Sequence, residues 1–173
     1  PEVLKEYFLR GRKNYVISGT HGKTTTSSML AWLFESAGEE PSFMIGGIPA
    51  NFGQGARFTK SDYVVMEGDE YDTAFFDKRS KFVHYLPEIA VINNLEFDHA
   101  DIFEDLAAIQ KQFHHAVRTV PSSGTIIYPA PDTNIAAVIE QGCWSQKQTF
   151  GSNQADWQYQ LVADDGSQFI LVN

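Results

Sequence analysis

The sequence predicts an α/β fold, a mostly parallel sheet with helices on both faces and a β-hairpin element towards the C-terminal end. Three observations predict it. Short apolar runs alternate with stretches of helical periodicity along most of the chain. Within those runs the apolar residues are consecutive, as strands buried on both faces require. The polar, chemically unusual residues gather just after the runs, at residues 20–25, 67–72 and 93–98. In open α/β sheets the carboxyl ends of the strands form the ligand crevice. A length of 173 residues suits one such domain.

The elements follow in order. Val3, Leu4, Tyr7 and Phe8 recur at helical spacing, and Gly11 closes this first helix. Residues 15–18 form an apolar strand that runs into a glycine turn. The spacing then predicts a helix over 24–37, with Met29, Leu30, Leu33 and Phe34 on its apolar face and Gly38 as its stop. "SFMIGG" is a short strand before a Gly/Pro/Asn-rich loop over 46–57. "DYVVMEG" is a third strand and "EIAVINN" a fourth. Residues 105–120 place Leu106, Ile109, Phe113 and Val117 on one side of an amphipathic helix. "GTIIYP" is a fifth strand, and "DTNIAAVIEQG" a helix capped by Asp132 or Thr133. The tail "WQYQLVADDGSQFILV" carries Asp-Gly between strand-like runs and predicts a hairpin.

Composition bounds the function. The chain is 43% hydrophobic, with a formal net charge of -9 that argues against nucleic acid as a partner. An acidic surface still permits a local anion cradle built from backbone N–H groups and one lysine. The single cysteine, Cys143, leaves no internal disulfide, fits a reducing compartment and reads as a small buried hydrophobe. No apolar run approaches the roughly 20 residues that cross a bilayer, and no signal-peptide pattern opens the chain. The expected location is cytoplasmic, with no membrane partner. The chain opens on proline and stops at "QFILVN" in what reads as mid-strand, so a piece of a longer protein is expected.

"VISGTHGKTTTSS" holds the strongest local signal. Gly-Lys-Thr follows an apolar strand and opens a helix, which aims backbone N–H groups and the helix dipole at an anion. This makes the fold P-loop-type. Gly22 lets the backbone approach phosphates, Lys23 supplies a point charge, and the Thr24 hydroxyl can ligate Mg²⁺. The common P-loop carries glycine five positions before Gly22, where this chain has Ile17. That departure speaks against a kinase or GTPase. After the third strand, "EGDEYD" offers Glu67, Asp69, Glu70 and Asp72, hard oxygen donors suited to Mg²⁺; an ordinary exposed acidic loop is the alternative. After the fourth strand, "NNLEFDHAD" sets His99 among Glu96, Asp98 and Asp101. His114 and His115 fall mid-helix and read as structural or solvent-facing.

Taken together, "GTHGKTTT", "EGDEYD" and "NNLEFDH" resemble three motifs of the Mur ligases, the ATP-dependent amide-bond-forming enzymes of bacterial peptidoglycan. The resemblance runs over residues 10–150, with Asn93 where the family commonly has threonine. It implies a central ATP-binding domain over residues 1–173, with the UDP-binding and amino-substrate domains absent and the isolated fragment inactive. ATP would be held by Gly19, Thr20, His21, Gly22, Lys23, Thr24 and Thr25. Magnesium would be held by Thr24, Glu67 and His99, and catalysis carried by Lys23, Glu67 and His99. Asn94, Asp98, Glu70 and Asp72 would line the substrate side. The stretch "TAFFDKRSKFVHYLP" is longer than in the family's UDP-N-acetylmuramate–L-alanine ligases. It resembles the peptide-recycling branch, which joins a murein tripeptide, L-alanyl-γ-D-glutamyl-meso-diaminopimelate, to UDP-N-acetylmuramate. The L-alanine ligase is the alternative, followed by an ATP-binding module without activity or an unrelated P-loop NTPase. Nothing in the sequence assigns Lys111 the part of the modified lysine that some ligases of the family use.

Overall fold

In the computed structural model, which describes residues 1–97, 103–151 and 154–173, the consecutive apolar runs become the central strands. The chain begins with α1 (Glu2–Leu4), which widens into a π-helical turn (Lys5–Leu9), and continues through β1 (Lys13–Ser18), α2 (Lys23–Ser36), β2 (Ser42–Met44), β3 (Ala56–Arg57) and β4 (Tyr63–Glu67). A hairpin of β5 (Asp72–Ala74) and β6 (Asp77–Ser80) and a 3-10 turn (Lys81–His84) precede β7 (Ile89–Ile92) and α3 (Leu106–Val117). Then come β8 (Thr125–Pro129), α4 (Thr133–Glu140), β9 (Gln146–Gly151), β10 (Trp157–Leu161) and β11 (Phe169–Val172). One sheet runs in the order β11-β10-β9-β8-β7-β1-β4-β2-β3. Its pairings are parallel except β2 with β3 and β10 with β11.

Alternation along β4 shows how both faces are used. Val64 and Met66 belong to a core cluster with Ile109, Phe113 and Val117 of α3 and Ile135 and Val138 of α4. Val65 between them packs in a second cluster with Ala31 of α2 and Phe43 of β2. Helices therefore cover both faces, as consecutive apolar residues demand. The caps agree with the sequence. Asp105 accepts from the Ala108 N–H at the start of α3, and Asp132, rather than Thr133, caps α4 by accepting from the Asn134 and Ile135 N–H groups.

Three departures from the sequence reading have physical causes. Leu30 and Phe34 pack on the second core cluster as expected, but Met29 and Leu33 are 63% and 64% exposed, and the fully buried positions of α2 are Ser27 and Ala31. Small residues one turn apart let the helix lie close on the sheet, and the glycine turn that leads into it sets its rotation. The β5–β6 hairpin and β9 went unread because their sequences, "DTA", "DKRS" and "QKQTFG", carry charge and amide groups instead of an apolar run. The C-terminal hairpin forms as predicted, with Gly166 at φ 74° in its turn. Cys143 is partly buried against the main core. Among the described residues no helix is long and apolar enough to cross a membrane.

The topology places the crevice. β1 lies between β4 and β7; the chain leaves β1 for the β2–β4 side and later returns to the β7 side. That reversal is a topological switch point, and ligands of open α/β sheets bind outside it at the carboxyl ends.

Candidate functional site

Beyond Ser18 the chain turns through Gly19, at φ 130°, and Gly22, at φ 78°, into α2. Both values lie where side chains other than glycine are strained. A Cβ at Gly19 would sit 3.0 Å from the Asn94 carbonyl oxygen and 3.1 Å from the Asn93 Cβ. Gly19→Ala is therefore expected to lower the ATP affinity of the full-length protein at least about tenfold, because a strained backbone costs about 1–3 kcal/mol and displaces the loop. Calorimetric titration checks this; unchanged affinity would contradict it.

The turn frames a cavity of about 360 Å³ lined by Thr20, His21, Gly22, Lys23, Thr24, Thr25 and Tyr71. Every predicted loop residue except Gly19 lines it. Tyr71 was missed, since nothing in an acidic stretch marks an aromatic as facing a loop so far back in the chain.

Lys23 turns back over the loop. Its Nζ donates to the Gly19 carbonyl at 2.6 Å and the Thr20 carbonyl at 3.1 Å, and lies 3.5 and 3.3 Å from the two Glu70 carboxylate oxygens. Both side chains are largely buried, 13% exposed for Lys23 and 3% for Glu70.

Thr24 and Glu67 meet across the crevice. The Thr24 hydroxyl donates to Glu67 Oε1 at 2.9 Å, while the Gly46 N–H donates to Oε2 at 2.8 Å. The register explains the meeting. Glu67 ends β4 opposite Ile17 of β1, so its side chain emerges beside the loop that β1 feeds. Burial pushes the Tyr85 phenol up to about 12, with the Asp69 and Glu67 carboxylates adding to the shift.

The segment after β7 braces the loop. The Asn94 side chain accepts from the His21 N–H at 2.8 Å and donates to the His21 carbonyl at 3.2 Å. Asn93 donates to the Thr26 hydroxyl at 3.0 Å, and the Thr20 hydroxyl accepts from the Glu96 N–H at 2.9 Å. Asn94 thus holds the turn. Asp72 lies in β5, its carboxylate 2.7 Å from Lys78 Nζ, and is not among the cavity-lining residues. Asp98 and His99 lie outside the described residues. Among those described, no group of three or more His, Cys, Asp or Glu side chains could hold a metal ion. Of the three metal-holding residues expected, Thr24 and Glu67 lie within the described residues, where they meet.

Lys23 is not the solvated lysine of a plain capped helix: its side chain is largely buried and folds back over the turn. The arrangement defines a P-loop-type α/β domain. The family model of the Mur ligase middle domain matches residues 17–172, and the chain belongs to the Mur ligase family. It is 52% identical over 172 residues to the UDP-N-acetylmuramate--L-alanyl-gamma-D-glutamyl-meso-2,6-diaminoheptandioate ligase of Escherichia coli (strain K12), covering 99% of this chain and 37% of that protein. The crystal structure of the UDP-N-acetylmuramate:L-alanyl-gamma-D-glutamyl-meso-diaminopimelate ligase from Neisseria meningitides superposes with a TM-score of 0.90 at 50% identity, over 98% of this chain and 54% of that one. The UDP-N-acetylmuramate--L-alanine ligase of Salinibacter ruber (strain DSM 13855 / M31) is 39% identical over 138 residues, 80% of this chain and 27% of that protein. The chain spans little more than a third of the length of its E. coli relative.

Proposed function

We propose that residues 1–173 are the ATP-binding domain of a ligase that joins L-alanyl-γ-D-glutamyl-meso-diaminopimelate to UDP-N-acetylmuramate. The UDP-sugar and amino-substrate sites would be carried by other parts of the full-length protein, and the reaction would take place in the cytoplasm. The observation that carries this reading is the placement of Lys23 and Thr24 in one cavity, with the Thr24 hydroxyl donating to the Glu67 carboxylate. The higher identity to the tripeptide ligase than to the L-alanine ligase supports the choice of branch.

In the proposed reaction a carboxylate oxygen of the UDP-sugar attacks the γ-phosphorus of ATP, and ADP leaves. The peptide amine then attacks the acyl carbon, an amide bond forms, and inorganic phosphate departs. The open N–H groups at the start of α2 receive phosphate oxygens. Lys23 sets its charge against the γ-phosphoryl oxygens, where charge builds as the bond to ADP breaks.

The site also suits magnesium. Thr24 Oγ1 and Glu67 Oε1, two hard oxygens 2.9 Å apart, meet at the start of the helix that the glycine turn opens. Bound there, Mg²⁺ would neutralise charge between triphosphate and carboxylate. His99 stays a proposed further ligand.

An assay of the full-length protein tests the reading. We expect ATP- and Mg²⁺-dependent joining of UDP-N-acetylmuramate to the tripeptide, and little joining to L-alanine alone. Exclusive use of alanine would move the protein to the other branch.

A further inference from the structure

We infer that the Glu70 carboxylate is a stand-in for phosphate. It holds Lys23 while the loop is empty, and an arriving nucleotide must displace it. The inference rests on the nucleotide reading above and changes the part given to Glu70, which was expected to line the substrate side.

A lysine ammonium has three N–H donors and no acceptor. Lys23 meets three groups: the Gly19 carbonyl, the Thr20 carbonyl and the Glu70 carboxylate. A phosphate oxygen can therefore reach the ammonium only in place of one of them. The carbonyl contacts, at 2.6 and 3.1 Å, belong to the turn itself and persist as long as the turn keeps its shape. The carboxylate contacts, at 3.3 and 3.5 Å, are the longest, and they come from a side chain that can move without unmaking the turn.

Glu70 is well placed for such an exchange. Its own carbonyl accepts from the Ser80 hydroxyl at 2.6 Å, which ties its backbone to the root of the β5–β6 hairpin. Its side chain is 3% exposed, so its charge is poorly screened. Before nucleotide arrives, this charge keeps Lys23 ordered and turned inwards. Once a phosphate sits on Lys23, the same carboxylate repels it and favours release. Glu70 is a positioning residue that acts through Lys23, and it makes the empty loop compete with the filled one.

The test compares the full-length wild-type protein with Glu70→Gln and Glu70→Asp. ATP affinity is read by calorimetry, first with EDTA and then with Mg²⁺, beside urea unfolding. Glutamine keeps the shape and an acceptor but removes the charge. Glu70→Gln is expected to bind ATP about tenfold more tightly in EDTA while its urea midpoint falls, so that affinity and stability move in opposite directions. Glu70→Asp, which keeps the charge, should return affinity towards that of the wild type. Weaker binding together with lower stability would make Glu70 merely structural and overturn the inference. So would unchanged affinity, or an effect seen only with Mg²⁺, which would make it a metal ligand. Wild-type protein that binds no ATP would overturn the nucleotide reading itself.

Discussion

Replacing Lys23 with alanine is expected to lower ligase turnover of the full-length protein at least about a thousandfold. The expectation rests on geometry rather than on the motif alone. Lys23 lines the 360 Å³ cavity framed by the glycine turn, and its ammonium is held within it by the Gly19 and Thr20 carbonyls. No other lysine or arginine lines that cavity among the described residues, so nothing nearby can replace the charge. The substitution also removes the cation beside buried Glu70, at a cost to stability on the order of 1–3 kcal/mol. A lost activity could then reflect a weakened fold. The double variant Lys23→Ala with Glu70→Gln separates the two effects: it should recover much of the stability and none of the turnover. Recovered turnover in the double variant would mean that Lys23 serves only to balance Glu70.

Glu67→Ala should produce the second largest loss, roughly a hundred- to thousandfold in turnover. The Thr24 hydroxyl and the Gly46 N–H both donate to this carboxylate, so it joins the start of α2 to the loop after β2. Its removal takes away a hard oxygen from the proposed metal position without touching Lys23. ATP binding in EDTA should therefore change little, while the Mg²⁺ concentration needed for half-maximal turnover rises. A variant whose magnesium dependence matched that of the wild type would remove Glu67 from the metal site.

These two residues show what a sequence makes legible. Lys23 and Thr24 could be placed because strand, turn and helix are contiguous, and local spacing encodes their geometry. The residues alone left Glu67 open between a metal donor and an ordinary acidic loop, and the resemblance of "EGDEYD" to a family motif singled it out. The face of α3, like the loop, was legible from local spacing: Ile109, Phe113 and Val117 are large enough to dominate its periodicity. In α2 the decisive residues are Ser27 and Ala31, whose smallness allows close approach and carries no apolar signal. The parts played by Glu70 and Asn94 depend on register between distant segments. Glu70 lies 47 residues from Lys23, and Asn94 lies 73 from His21. The family resemblance implied substrate contacts for both, and the assembled sheet shows that one meets the lysine and the other the turn.

The most direct test of the central claim is a crystal structure of the full-length protein with Mg²⁺ and a non-hydrolysable ATP analogue. The account predicts the β- and γ-phosphates on the turn of residues 19–25, Lys23 Nζ within hydrogen-bond distance of a γ-phosphate oxygen, and a metal ion contacting Thr24 Oγ1, with Glu67 turned towards metal. A nucleotide bound elsewhere, or one bound here with Lys23 still on Glu70 and no metal near Thr24 or Glu67, would contradict it.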